Sequence, residues 1–128
     1  MDLSDTLDAI VDVTETVVAD SRRWRPGFES AAVAVSVEPV AFERRALAGG
    51  RYMLEVELFL AVKGADERSR QVRAHEVALQ LQQELDAERW AASASIDSLS
   101  VREVRFIRPA AEAAGGAVLT LDVEVIWS

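Results

Sequence analysis

The stretch LDVEV, residues 121–125, decides the fold. Its strict alternation is that of a half-buried strand. Leu119, Leu121, Val123, Val125 and Trp127 take one face, and Thr120, Asp122 and Glu124 take the other. Upstream, LEVEL (54–58) repeats the device with Glu55 and Glu57 outward. If the two strands are neighbours, Glu55, Glu57, Asp122 and Glu124 share one sheet face, and like charges directly opposite destabilise a sheet. What such a face looks at is the question the sequence poses.

Working outward from LEVEL, the alternation extends over 51–63. Tyr52, Leu54, Val56, Leu58, Leu60 and Val62 point one way, and Met53, Glu55, Glu57, Phe59 and Ala61 the other, with Gly49-Gly50 as the turn leading in. Before it, Val33, Val35 and Val37 form a short strand whose other face is the small set Ala32, Ala34 and Ser36. Pro39 ends that strand or confines it to a sheet edge. Residues 40–50 fit either a strand end or an irregular loop. At the start of the chain, Leu7, Ile10, Val11, Thr14, Val17 and Val18 recur at helical spacing, which predicts an amphipathic helix over 4–20 with Ser4 as its N-cap. Pro26 and Gly27 in RRWRPGF (22–28) stop it.

After Lys63-Gly64 the spacing predicts a long helix with Asp66 as N-cap, running toward Trp90. Ala74, Val77, Ala78, Leu81 and Leu85 form one stripe that packs on the sheet. Val72, Leu79 and Trp90 fall on roughly the opposite side, which a surface helix normally keeps polar, so they mark a partner surface. SASIDSLS (93–100) reads as a loop before a strand over 101–108, with Val104 and Phe106 inward opposite Arg105 and Ile107. Pro109 ends this strand, and AAEAAGGA (110–117) is too long for a two-residue hairpin turn. The order of elements predicts a single α+β domain over 1–128. It has a mainly antiparallel sheet of about four to five strands, with the N-terminal helix and the long central helix on one face.

A chain of 128 residues, half of them hydrophobic, can bury a proper core. The formal charge of −8 argues against a sequence-independent grip on nucleic acid. Without cysteine there is no disulfide framework, thiol nucleophile or thiolate metal site, which fits a reducing compartment. MDLSDTLDAI has no basic region followed by an apolar run, and no stretch has the length of an apolar membrane span, so a chain without membrane association or the usual export signal is expected.

His75, the only histidine, has no second histidine or HExxH pattern around it, so a metal or general-base role is the lesser reading and a partly buried or interface histidine the greater. The four acids imitate a metal site or a glycosidase pair, but i, i+2 spacing on two strands is also that of any solvated sheet face. Gly49-Gly50 and Gly115-Gly116 lack the lysine and helix start of a phosphate cradle. Trp24, set among Arg22, Arg23 and Arg25, is an interface anchor or closes a helix end, with a nucleic-acid platform as the minor alternative. No catalytic, cofactor or metal residues are expected.

The succession of a short N-terminal helix, a Val-rich strand before a proline, the long strand RYMLEVELFLAVKG, a helix rich in Ala, Leu and Gln, and a closing GGAVLTLDVEVIWS resembles the tail terminator proteins of long-tailed bacteriophages and phage-like particles. The resemblance is one of pattern and length over nearly the whole chain. It implies a non-enzymatic structural subunit of a ring, typically a hexamer, that caps the tail tube and joins the head, its connector or a neck protein. Such a protein is assembled in the host cytoplasm and resides in the particle's tail. DNA would pass through the ring without specific binding, and Glu55, Glu57, Asp122 and Glu124 are candidates to line the lumen, the alternative being that they form the outer wall or face solvent. The alternatives are another neck or tail-completion component, or a small α+β ligand-binding module or enzyme.

Overall fold

The computed structural model describes residues 3–23, 33–44, 50–64, 66–87, 90, 96–107 and 114–127. Helix α1 (Leu3–Glu15) is followed by β1 (Ser21–Arg22), β2 (Val33–Arg44), β3 (Arg51–Lys63), helix α2 (Glu67–Ala87), β4 (Ile96–Ile107) and β5 (Ala114–Ile126). The strands form one mixed sheet in the order β1-β2-β3-β5-β4. Among the described residues only the β1–β2 pair is parallel; β2–β3, β3–β5 and β4–β5 are antiparallel. This is the α+β class predicted, with five strands and both helices on one side. Among the described residues no helix is long and apolar enough to cross a membrane.

The core lies between the helices and one sheet face. On β3 the even-numbered run Leu54, Val56, Leu58, Leu60 and Val62 is buried, and on β5 the run Leu119, Leu121, Val123 and Val125. Ala74, Val77, Ala78, Leu81 and Leu85 of α2 meet them, with α2 across β5, β4 and β3 and α1 across β2 and β1. Each fully buried aliphatic side chain contributes roughly 1.5–3 kcal/mol relative to exposure. The start of α2 is the cap expected. Ser69 donates from its amide to Asp66 Oδ2 at 3.1 Å and from its hydroxyl at 2.8 Å. These bonds, the hydroxyl first, hold the Asp66 carboxyl below its ordinary range. A carboxylate lowered in this way adds stability that is present above its ordinary pKa and lost as pH falls through the lowered one.

Four boundaries differ from the sequence reading: the end of α1, the starts of β4 and β5, and the end of α2; β5 begins at Ala114, opposite Lys63, inside the stretch 110–117 read as a connection. Helix α1 stops at Glu15, short of 20. Thr14 and Thr16 turn their hydroxyls back onto the Val11 and Val13 carbonyls, and the Thr16 and Val17 amides tighten to i−3 bonds. Strand β2 runs through Pro39 to Arg44, which is the edge alternative of the sequence reading. The Val35 amide donates outward to Asp20 O, and the same alternation carries the proline nitrogen, which has nothing to donate, to the side away from β3. Strand β4 begins at Ile96 inside the supposed loop, because two bulges, between Ile96 and Ser98 and between Val101 and Glu103, break its alternation. Helix α2 ends at Ala87, before Trp90.

Candidate functional site

The sheet face away from the helices carries the acids. Glu55 stands opposite Asp122, Met53 opposite Glu124 and Glu57 opposite Thr120. Glu55, Glu57, Asp122 and Glu124 are all half-buried. They lie on one face of adjacent strands, as the alternation implies. Toward the other end of this face Ala34, Ser36, Ala61 and Val118 are buried.

Two arginines explain how the sheet tolerates acids side by side. Arg102 sits in the second bulge of β4, where its side chain reaches across β5. It donates to Glu55 Oε1 from Nη2 and brings Nη1 to 3.6 Å from Asp122 Oδ1. Arg51, two ladder positions from Met53 and four from Glu55, donates from Nη1 to Glu124 Oε1 at 2.8 Å and lies 3.5 Å from Asp97 Oδ2. Each guanidinium pKa is raised, Arg102 first by its bond to Glu55 and Arg51 first by its bond to Glu124. The repulsion expected between Glu55 and Asp122 is thereby turned into a shared attraction to one cation.

Glu57 is the exception. Among the described residues no cation pairs with it, and its opposite residue on β2 is Glu38, which only accepts a 3.4 Å hydrogen bond from Ser36 Oγ. Beyond Thr120 the same row reaches Glu103, 3.6 Å from Arg105. Glu43, beside Met53 on the same face, likewise has no cation partner among the described residues, so the uncompensated charge lies on Glu38, Glu43 and Glu57. A shallow depression of about 290 Å³ on this side of the sheet is lined in part by Glu43, Met53, Glu55, Arg102 and Asp122, so it presents both signs of charge. Among the described residues no three His, Cys, Asp or Glu side chains are grouped to hold a metal ion.

A second surface is apolar. Val72 and Leu79 are 48% and 52% exposed on α2, on the side expected. His75, also exposed, lies between them at helical spacing and packs its ring against Phe106, with centroids 4.2 Å apart. This contact joins the helix stripe to the end of β4, where Phe106 and Ile107 are exposed. Trp90 does not belong to the stripe. It lies past the end of α2, is buried in the core, and donates from Nε1 to the Leu85 carbonyl at 3.1 Å. Extrapolating the helical period beyond Ala87 put it on the wrong side. Trp24 lies outside the described residues.

At the opposite side of the sheet Val40 and Phe42 of β2 are exposed. Phe42 is in edge contact with Tyr52 and Trp127, both at 5.9 Å between centroids. Sequence reasoning missed Val40, Phe42, Phe106 and Ile107 as surface groups, and Arg51 and Arg102 as partners of the acids. Arg51 shares the odd-numbered face of Glu55 and Glu57, a signal that was available. The chain matches no family model and no curated protein.

Proposed function

We propose that this chain is a structural assembly protein, a ring-forming subunit of the tail terminator kind that caps a tail tube and joins it to a head, connector or neck protein. The observation that carries the reading is the placement of exposed large apolar side chains at both ends of the strand order. Val40 and Phe42 stand at the β2 side, and Val72, Leu79, Phe106 and Ile107 at the β4 side. Two different surfaces on opposite sides suit head-to-tail contacts, which form a ring when the rotation between copies closes, better than the single self-complementary patch of a twofold dimer. In such a ring the acidic face, with Glu38, Glu43 and Glu57 uncompensated, lines the passage for DNA, repelling phosphate from the wall.

Light scattering on the protein alone and mixed with tail-tube protein tests the reading. A closed oligomer, a hexamer by the resemblance, is expected either free or on the tube. A protein that stays monomeric in both samples would sink it.

The lining makes a separate demand. Glu38→Lys with Glu57→Lys should leave oligomer size unchanged and make DNA adhere, with an affinity that falls steeply as salt rises. Assembled particles that pass DNA normally with both positions reversed would place this face elsewhere than the lumen.

A further inference from the structure

Both sides of the sheet end in strand segments that lack a strand neighbour among the described residues. Strand β4 is outermost on its side, and β1 covers β2 only at Val35 and Ser36. Neither free edge is uniform. On β4 the first part is broken by two bulges, and the outward amide of Val101 is already taken by Asp86 Oδ1 at 3.1 Å. Regular pairing resumes at Glu103 and continues to Ile107. On β2 the bulge at Val40 and the donorless nitrogen of Pro39 close the middle, and regular pairing resumes from Ala41 to Arg44. Each side thus offers one short ordered edge.

These edges are complementary in direction, orientation and side chains. Strand β2 is antiparallel to β3, β3 to β5 and β5 to β4, so β2 and β4 run oppositely. Repeating the subunit about an axis parallel to the strands sets β4 of one copy antiparallel to β2 of the next. The outward amides of Val35 and Val101 fix which residues point away from the sheet. Followed along the ladder partners, that orientation falls on Phe42 in β2 and on Phe106 in β4, so the two meet as a hydrogen-bonded pair. Both phenyl groups lie on the helix side. With them opposite, Glu43 meets Arg105 on the acidic side, and Arg105 is exposed with only a 3.6 Å contact to Glu103. Sliding by two residues to bring Phe42 to Val104 instead sets Glu43 against Glu103, and a slip of one residue puts each phenyl on the wrong face.

We propose that residues 104–107 of β4 pair antiparallel with residues 41–44 of β2 in a second copy of this chain, with Phe42 opposite Phe106 and Glu43 opposite Arg105. The pairing extends the sheet from subunit to subunit and is heterologous, so it adds copies in one rotational sense. It rests on the ring reading for closure of the series.

Charge reversal tests the register. Glu43→Arg and Arg105→Glu should each weaken self-association by about fivefold per contact, and the two together should restore it. Because the native chain has no cysteine, Phe42→Cys combined with Phe106→Cys supplies a second readout. Mild oxidation should convert that variant into disulfide-linked multimers, while either single cysteine should give at most dimers. A wild-type ring with size and affinity insensitive to both reversals, or a double-cysteine variant that does not cross-link within the ring, overturns the pairing and leaves the ring reading standing. A wild type that remains monomeric with and without tube protein overturns both.

Discussion

Gly50→Ala is expected to destabilise the protein by about 3 kcal/mol or more, a loss readable as a lowered midpoint in chemical denaturation followed by tryptophan fluorescence. Gly50 has φ of +62°, in the left-handed region that an L side chain adopts only under strain. A Cβ there would also overlap the Trp127 carbonyl oxygen. The Gly50 carbonyl accepts the Trp127 amide at 2.8 Å, so relief by moving the turn would break that bond. Trp127 in turn stacks on Tyr52 at 5.0 Å and donates from Nε1 to Thr6 Oγ1 at 3.0 Å, tying the end of the chain to α1. Gly64→Ala is the control. Its φ lies outside the left-handed region and its Cβ would meet Arg70 Cγ at 3.1 Å, an overlap that a shift of a few tenths of an ångström relieves, so a smaller loss is expected. Equal losses at the two positions would show that the turn at Gly50 is not the constraint.

Leu79→Glu should abolish assembly while sparing the fold. Leu79 is 52% exposed on α2, so in the free subunit a carboxylate there stays in water and changes stability within about 0.5 kcal/mol. Buried against another subunit without a partner, the same charge costs about 3 kcal/mol, which lowers the association constant by roughly a hundredfold at each contact. Sedimentation velocity with a parallel thermal melt separates these effects. Unchanged assembly would mean that Leu79 lies outside any contact between subunits, and a collapsed melting point would contradict its exposure.

Legibility in the sequence followed the regularity of the strands. Strand β3 could be bounded from alternation alone, and the helix stripe through Ala74, Val77, Ala78, Leu81 and Leu85 packs on the sheet as its spacing implied. Strand β4 could not be bounded. Its helix-side residues Ile96, Leu99, Val101, Val104 and Phe106 alternate steps of three and two, because each bulge adds one residue without a ladder partner. Taken as period two, the stretch before Val101 looks like loop. The same irregularity hid Arg102, whose parity gives no hint that it reaches Glu55. The sharing of one face by the four acids was readable, whereas their partial neutralisation was not. The exposure of Phe42 and Phe106 was also out of reach, since it depends on which strands lie outermost, a property of the order β1-β2-β3-β5-β4 and not of any local pattern.

The proline at 39 and the Asp86 carboxylate on the Val101 amide have a consequence for solubility. Long bare strand edges invite indiscriminate growth into fibres, since backbone donors and acceptors recognise any extended chain. Here the middle of one edge lacks a donor and part of the other is already occupied, so only short stretches remain open to pairing. Edges interrupted in this way are expected to resist growth into amyloid-like aggregates.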